Sequence, residues 1–95
     1  MRRAAKVDAT QEAIVTALRA HGCTVQSLAA VGKGCPDILA GWRGENWLFE
    51  CKSQRDDRKK APGLTDDQVK WMGDWRGRVV VVLSPDEALR ALGVF

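Results

Sequence analysis

The chain has 95 residues, of which 45% are hydrophobic and 28% are charged, as is ordinary for one small globular domain. Fifteen basic against twelve acidic residues give a formal charge of +3, which favours a polyanionic partner. No apolar run approaches the roughly 20 residues of a membrane span, and the start lacks the apolar core of a signal peptide. We therefore expect one cytoplasmic domain over residues 1–95, without membrane association.

The first half of the chain predicts one helix followed by three strands, over residues 8–21, 24–30, 36–42 and 47–52. Apolar residues at helical spacing define the helix, Asp8 or Thr10 suits its N-cap, and Gly22 is a typical helix stop. A glycine-rich loop precedes the second strand, where Pro36 is tolerated at the first position. The turn 43–46 joins the second and third strands into a predicted hairpin.

The second half predicts a helix, a strand and a last helix. Residues 53–63 are polar and charged and predict a mobile basic loop. Thr65 and Gln68 match a capping box, so a helix is expected to begin there. The apolar run 79–83 suits a strand buried on both faces, which we expect in the middle of the sheet. With a final helix beginning at Pro85, the order predicts an α/β (α+β) fold with helices flanking a mixed central sheet.

Asp37, Glu50 and Lys52 form the most informative group. Side chains alternate along a strand, so Glu50 and Lys52 share one face while Phe49 and Cys51 take the other. A hairpin turn of two or four residues places Asp37 on the face of Glu50 and Lys52, whereas a three-residue turn breaks this alignment. Two carboxylates suit a hard cation such as Mg²⁺, which activates water for phosphodiester hydrolysis while a lysine neutralises developing charge.

Bare spacing favours a simpler interpretation of these three residues. Asp37 after Pro36 suits a turn, and Glu50 and Lys52 suit an ion pair on a solvent-exposed face. The context argues against it, because the two acids lie on strands that are predicted to pair. One of them follows a proline, and the other leads into a basic loop.

At this point the chain resembles a known family. The stretch Gly34-Cys-Pro-Asp37 followed by Glu50-Cys-Lys52 is similar to the P-D…(D/E)-x-K signature of restriction-endonuclease-like nucleases. The element order αβββαβ(α) also resembles the core of that superfamily. The segments 31–37 and 64–68 resemble stand-alone VRR-NUC nucleases, which are often encoded by phages or prophages. The resemblance covers roughly residues 8–92.

The resemblance implies a role for each matching residue. The catalytic residues that it implies are Asp37, Glu50, Lys52, Glu12 and Gln68. Asp37 and Glu50 would bind Mg²⁺ or Mn²⁺ together with the backbone carbonyl of Cys51, and Glu12 would complete the metal site through water. Lys52 would be the catalytic lysine.

Two of these residues also suit a purely structural role. Glu12 is an acid in the first turn of a helix, where it interacts favourably with the helix dipole. Gln68 is expected to be the capping-box partner of Thr65. Both interpretations stay open for each residue at this point.

Basic residues near the predicted site suit contacts with DNA phosphates. Those that we assign to DNA binding are Lys33, Arg55, Arg58, Lys59 and Lys60. The resemblance implies a metal-dependent, structure-selective endonuclease that acts as a homodimer on branched DNA such as Holliday junctions, in the cytoplasm of a bacterial host if a phage encodes it. The alternatives are a non-catalytic nucleic-acid-binding module and a phage accessory factor that binds protein through Trp71 and Trp75.

Overall fold

The computed structural model describes residues 8–53 and 63–95, which form a four-stranded sheet and three helices. The helices and strands are α1 (Ala9–Ala20), β1 (Thr24–Ser27), β2 (Ile38–Trp42), β3 (Glu45–Cys51), α2 (Asp66–Asp74), β4 (Val79–Val82) and α3 (Pro85–Leu92). Their order and the α/β (α+β) class are as predicted. Within the described residues, no helix combines the length and the apolar character that crossing a membrane requires.

The helices begin at capping residues that the sequence indicates. At the start of α1, the Asp8 carboxylate accepts a hydrogen bond from the Gln11 N–H over 2.9 Å. At the start of α3, the Ser84 hydroxyl accepts one from the Glu87 N–H over 3.2 Å. Each cap satisfies a first-turn N–H that the helix itself leaves without a partner, which stabilises the helix by about 1 kcal/mol.

The sheet is mixed, and its strands lie in the order β1-β2-β3-β4. β2 is antiparallel to both β1 and β3, while β4 is parallel to β3. Among the described residues β4 is therefore an edge strand in which only Val82 is buried, and the prediction of a strand in the middle of the sheet, buried on both faces, is wrong. The reason is topological: β2 already occupies one side of β3, so β4 pairs with the other side of β3, and no further described strand lies beyond it.

The hairpin of β2 and β3 is present, but its turn contains two residues, Arg43 and Gly44, rather than the predicted four. Both have positive φ angles, 52° and 80°, as in the tight turns whose twist matches that of the flanking strands. Strand boundaries also differ from the prediction: β1 ends at Ser27, β2 begins at Ile38 rather than at Pro36, and β3 runs over Glu45–Cys51 rather than over residues 47–52. β4 ends one residue early, at Val82. The short turn fixes the register of the hairpin.

One face of the sheet packs against α1 and α3 to form the core. The buried core residues are Ile14, Leu18, Cys23, Ile38, Ala40, Phe49, Cys51, Val82, Ala88, Leu89 and Leu92. Phe49 and Cys51 lie there as predicted, and burying a side chain such as Phe49 contributes about 1.5–3 kcal/mol. α2 has no buried residue. Glu50 and Lys52 point to the other face of β3, on the side from which α2 approaches.

Candidate active site

The hairpin register brings the two predicted acids together. Ile38 pairs with Phe49, so the register continued by one residue places Asp37 opposite Glu50. The Asp37 N–H donates to the Phe49 carbonyl oxygen over 3.1 Å, which extends the ladder to this point. The two-residue turn is one of the even lengths for which this alignment is expected.

A backbone hydrogen bond holds the Asp37 carboxylate in place. Its Oδ2 accepts from the Cys51 N–H over 2.7 Å, at the short end of the range for N–H···O hydrogen bonds. The Cys51 side chain points into the core, where burial, followed by the charges of Asp37, Glu50 and Asp8, raises the pKa of its thiol to about 12. Cys51 therefore faces the acid pair through its backbone, while its thiol stays protonated at neutral pH.

Glu50 is a buried acid with an unsatisfied oxygen. It is only 2% exposed, and its Oε2 lies 3.7 Å from the Lys52 Nζ. Its Oε1 is buried and has no hydrogen-bond partner among the described residues. Burial, and then the neighbouring charge of Asp37, raise the pKa of Glu50 to about 7, although Lys52 opposes this effect. A buried carboxylate of this kind is costly unless positive charge comes close to it.

The cap of α2 turns Gln68 toward Glu50. The Thr65 hydroxyl accepts from the Gln68 N–H over 3.1 Å, and the Gln68 Oε1 accepts from the Thr65 N–H over 2.9 Å. Because Oε1 is engaged in this capping box, the amide Nε2 is left to donate to Glu50 Oε2, 3.0 Å away. One side chain thus serves both as the capping partner and as a neighbour of the acid pair.

A close backbone contact joins the glycine-rich loop to the start of α2. Gly34 has a φ of +83°, and a Cβ placed on it would overlap the Asp67 carbonyl and lie 2.9 Å from the Gln68 backbone nitrogen. Only glycine combines this angle with this proximity. The neighbouring Lys33 has a φ of 57° and an exposed side chain on the same loop. The loop therefore fixes where α2 begins relative to Asp37.

Comparison with known proteins identifies the family of the chain. The model of the family described as "Archaeal holliday junction resolvase (hjc)" matches residues 3–80. The chain belongs to this family. A solved structure entitled "VRR_NUC domain" is similar in fold, with a TM-score of 0.67 and 23% sequence identity over 90% of this chain and 92% of that one. No curated protein matches the chain.

The family and the fold confirm the resemblance that rests on Asp37, Glu50 and Lys52. This resolvase-family chain shares its fold with the VRR-NUC domain structure, and it is a member of a family of structure-selective nucleases. Its phage or prophage origin stays a prediction.

Not every predicted site residue lies beside the acids in this resolvase-family chain. Glu12 is exposed in the first turn of α1, where it lines a groove with Thr16, Arg19 and Val25. In residues 8–53 and 63–95, no hydrogen bond or ion pair joins Glu12 to the acid pair. The remaining predicted DNA-binding residues lie outside the described ranges; these are Arg55, Arg58, Lys59 and Lys60.

Sequence reasoning missed two neighbours of the acid pair. Cys35 is not among the predicted site residues, yet it lies close enough to Glu50 and Asp37 that their charges, after burial, raise the pKa of its thiol. Gly34 was noted only as part of the loop and signature. The sequence feature that could have identified both residues is their place in the signature, just ahead of Pro36 and Asp37.

Trp71 and Trp75, which the alternative of a protein-binding factor would use, stack on each other on the surface. Their ring centroids lie 4.6 Å apart, and Trp75 is 45% exposed. Neither tryptophan is part of the core cluster. Core packing is therefore excluded as their role in the described chain.

The acid pair fits a divalent cation. No group of three His, Cys, Asp or Glu side chains that could hold a metal occurs in the described part of the chain. Mg²⁺ does not require one, since it typically binds through one or two carboxylates and fills its other positions with waters and substrate phosphates. Asp37 and Glu50 supply this donor set, and the unsatisfied Glu50 Oε1 is an atom that such a cation would complete.

Proposed function

We propose that this chain is a metal-dependent, structure-selective endonuclease that hydrolyses phosphodiester bonds in branched DNA, with the four-way Holliday junction as its substrate. The observation that carries the proposal is the buried Glu50, which lies beside Asp37 and has one oxygen without a partner among the described residues. The family description supports the choice of substrate, because it names this junction.

Asp37 and Glu50 would hold Mg²⁺ or Mn²⁺, with the Cys51 carbonyl as a third contact. When bound, the ion supplies Lewis-acid polarisation of a phosphoryl oxygen and lowers the pKa of a water. Asp37 is pre-positioned for this task by the Cys51 N–H. Glu50 must be ionised to act as a ligand. Because its pKa is raised, its ionised form is favoured only when positive charge, such as that of the cation, lies close to it.

Lys52 would act directly on the scissile phosphate. Its ammonium lies 3.7 Å from Glu50 Oε2, and its side chain is 20% exposed, so it lies at the rim of the acid pair with access to solvent. A positive charge at this place neutralises the charge that develops on the phosphoryl oxygens and helps to orient the attacking water. Removing one such group costs about 10²–10³ in rate in enzymes that use electrostatic stabilisation.

Gln68 and Glu12 would support the site from two sides. Gln68 is a positioning residue, because it holds Glu50 Oε2 and leaves Oε1 free to bind the cation. Glu12 would contribute from α1 through a bridging water, since its side chain is exposed and makes no direct contact with the acids.

Basic residues would bind the DNA backbone on both sides of the acid pair. Lys33 is exposed on the loop that contacts the start of α2. Residues 52–60 contain five basic and two acidic side chains, a net charge of +3, and we propose that Arg55, Arg58, Lys59 and Lys60 contact phosphates. Because a junction is resolved by two cuts, we propose that a homodimer supplies the two active sites.

The test is cleavage of labelled four-way junction, flap, splayed and linear duplex DNA in Mg²⁺ or Mn²⁺. Asp37→Asn and Lys52→Met remove one charge each with little change of shape, and Lys70→Met removes the same charge as Lys52→Met from an exposed helix position. We expect preferential cleavage of the junction, complete inhibition by EDTA, and a loss of about 10²-fold or more for the first two variants only.

Retained binding separates a chemical role from a role in DNA affinity. We expect Lys52→Met to shift the junction in a gel at nearly the wild-type concentration. If no DNA is cut in either metal while wild type and Asp37→Asn bind it equally, the endonuclease proposal fails and the chain is a non-catalytic binding module.

A further inference from the structure

Three consecutive residues of the glycine-rich loop have left-handed backbones. Gly32, Lys33 and Gly34 have φ angles of 72°, 57° and 83°. Glycine adopts this region freely, whereas a lysine there is strained and points to a functional reason. The other non-glycine residue with a positive φ is Arg43, whose two-residue turn directly joins paired strands. The loop that contains Lys33 is longer, so the pairing of its flanking strands does not require this conformation.

The same residues present backbone donors that have no described acceptor. The Cys35 N–H donates to the Gly32 carbonyl oxygen over 3.1 Å, which closes a turn with Lys33 and Gly34 at its centre. None of the hydrogen bonds within residues 8–53 and 63–95 has the N–H of residue 32, 33 or 34 as its donor. In a turn of this kind successive N–H groups point to one side, and such concave groups of donors bind anions.

The loop is held in place on one side and open on the other. A Cβ on Gly34 would overlap the Asp67 carbonyl, so the two backbones are in close contact. The Leu28 N–H donates to the Asp37 carbonyl oxygen over 2.8 Å, which ties the two ends of the loop together. A Cβ on Gly32, in contrast, would meet no atom within 4 Å. The donors are therefore arranged before a ligand arrives, which lowers the entropic cost of binding.

Lys33 adds a positive charge to these donors at a short distance from the acid pair. Its side chain is exposed, and the described residues provide no ion-pair partner for it. The three residue steps from Gly34 to Asp37 span at most about 11 Å. Because phosphates follow one another every 3.4 Å or so along the axis of a DNA strand, an anion at the loop would lie within about three nucleotides of a phosphate at the acids.

We infer that residues 32–34, which we call the GKG loop, hold one phosphodiester group of the DNA backbone through their three N–H groups and the Lys33 ammonium. Lys33 is proposed above as a phosphate contact through its side chain. The GKG loop adds uncharged backbone donors, which fix the position of the phosphate as well as attract it. A strand held here would keep a fixed register relative to Asp37 and Glu50. The assignment of the phosphate to DNA rests on the proposed function, whereas the anion site itself does not.

Amide NMR of the full chain tests the anion site without any need for catalysis. Diethyl phosphate, which is a phosphodiester, is titrated into metal-free protein at constant ionic strength, and inorganic phosphate is titrated in parallel. We expect the amide protons of residues 32–34 to move downfield together, with one dissociation constant. Arg43 and Gly44 form the matched control, because they are a second positive-φ turn with a basic side chain. No shift at the GKG loop, or equal shifts in both turns, overturns the inference.

Two substitutions of Gly32 separate the role of the N–H from that of the side chain. Gly32→Pro removes one N–H and fixes φ near −65°, whereas Gly32→Asn keeps the N–H and tolerates a positive φ. The open space around Gly32 accommodates both side chains, so circular dichroism should show a retained fold. We expect Gly32→Pro to weaken diethyl phosphate binding by about tenfold or more, and Gly32→Asn to bind like the wild type. Equal affinities of the two variants overturn the role of the backbone donors.

Neutral linkages identify the phosphate in DNA. Four-way junctions in which a single phosphodiester is replaced by an uncharged methylphosphonate, one position at a time around the branch point, are compared in binding. We expect one position to weaken binding of the wild type by about tenfold and to leave binding of Gly32→Pro unchanged, because that variant has already lost the contact. If no position distinguishes the two proteins, the assignment of the site to the DNA backbone is overturned.

The outcomes separate the inference from the proposed nuclease activity. A chain that cleaves junctions but shows no phosphate binding at the GKG loop overturns the inference and leaves the proposed function intact. A GKG loop that binds both phosphates as expected, in a chain that cleaves no DNA, supports the anion site and refutes the proposed function instead.

Discussion

Replacing Glu50 with glutamine should stabilise the metal-free protein at neutral pH while abolishing cleavage. Glutamine has the shape of a protonated Glu50. Its carbonyl oxygen can accept from Gln68 as Oε2 does, and its amide can donate to Asp37 as a protonated carboxyl would. The substitution therefore removes a costly buried charge and keeps the surrounding hydrogen bonds.

The size of the effect follows from the pKa of Glu50, which is about 7 in the folded chain against an ordinary 4.5. Between these values the folded state holds a proton that the unfolded state has released, so the free energy of unfolding falls as the pH rises. The loss between pH 4.5 and pH 7 is about 3 kcal/mol, with no further fall above that range. A glutamine carries no such proton, so the Glu50→Gln variant keeps this stability at pH 8.

Urea unfolding in EDTA at pH 5 and pH 8 measures this difference. The wild type should lose between about 2 and 3 kcal/mol relative to Glu50→Gln between the two conditions, whereas Glu45→Gln, at an exposed acid paired with Arg78, should follow the wild type. Mg²⁺ or Mn²⁺ at a hundredfold excess over its dissociation constant should restore about 2.7 kcal/mol to the wild type and little to Glu50→Gln. Equal wild-type stability at both pH values, or a variant less stable than the wild type at pH 8, would refute the reasoning.

Three further predictions concern the contacts around the acids. Gln68→Ala should lower cleavage about tenfold and stability by about 1 kcal/mol, whereas Thr65→Ala should lower stability by a similar amount but retain most activity. Urea unfolding and initial rates together distinguish the two, and equal rate losses would contradict the positioning role. Gly34→Ala should lower the free energy of unfolding by at least about 1 kcal/mol more than Gly22→Ala does. Both glycines have a positive φ, but only Gly34 has backbone atoms close to an added Cβ. Equal shifts of the melting temperature would contradict this. Lys33→Asn should preserve stability, since asparagine tolerates a positive φ, but should reduce the salt dependence of DNA binding by about one phosphate contact. An unchanged slope of affinity against salt would exclude a phosphate contact at this residue.

The sequence was sufficient for element order because the signals are local. Helix caps at Asp8, Thr65 and Ser84, and the change from helical to alternating spacing, mark where elements begin. The place of β4 could not be read in this way. Its run of valines predicts a strand that is buried on both faces. The position of β4 in the sheet depends instead on which side of β3 the hairpin leaves free for pairing.

The candidate site also combines features that follow from local sequence patterns with contacts that do not. The alignment of Asp37 with Glu50 follows from period-two alternation and an even turn, so it could be predicted once the hairpin was identified. The contact between Gln68 and Glu50 came only through family resemblance, since 18 residues and a basic segment separate them. The overlap that Gly34 avoids with Asp67 is a tertiary contact between a loop and a helix, and no local pattern encodes it.

The contacts around the acids close into a ring, and this explains why the site can be pre-organised without a large core. Asp37 is held by the Cys51 N–H, its loop meets the start of α2 at Gly34, and the Gln68 amide of α2 returns to Glu50, which precedes Cys51. One backbone N–H and one side-chain amide thus hydrogen-bond the two carboxylates, while the close contact at Gly34 sets where α2 begins. Support of this kind is what accurate placement of metal ligands requires. Glu50 Oε1 is the one carboxylate oxygen of the described ring that is buried without a partner. We therefore propose that the cation binds at this atom, where it would satisfy the buried oxygen.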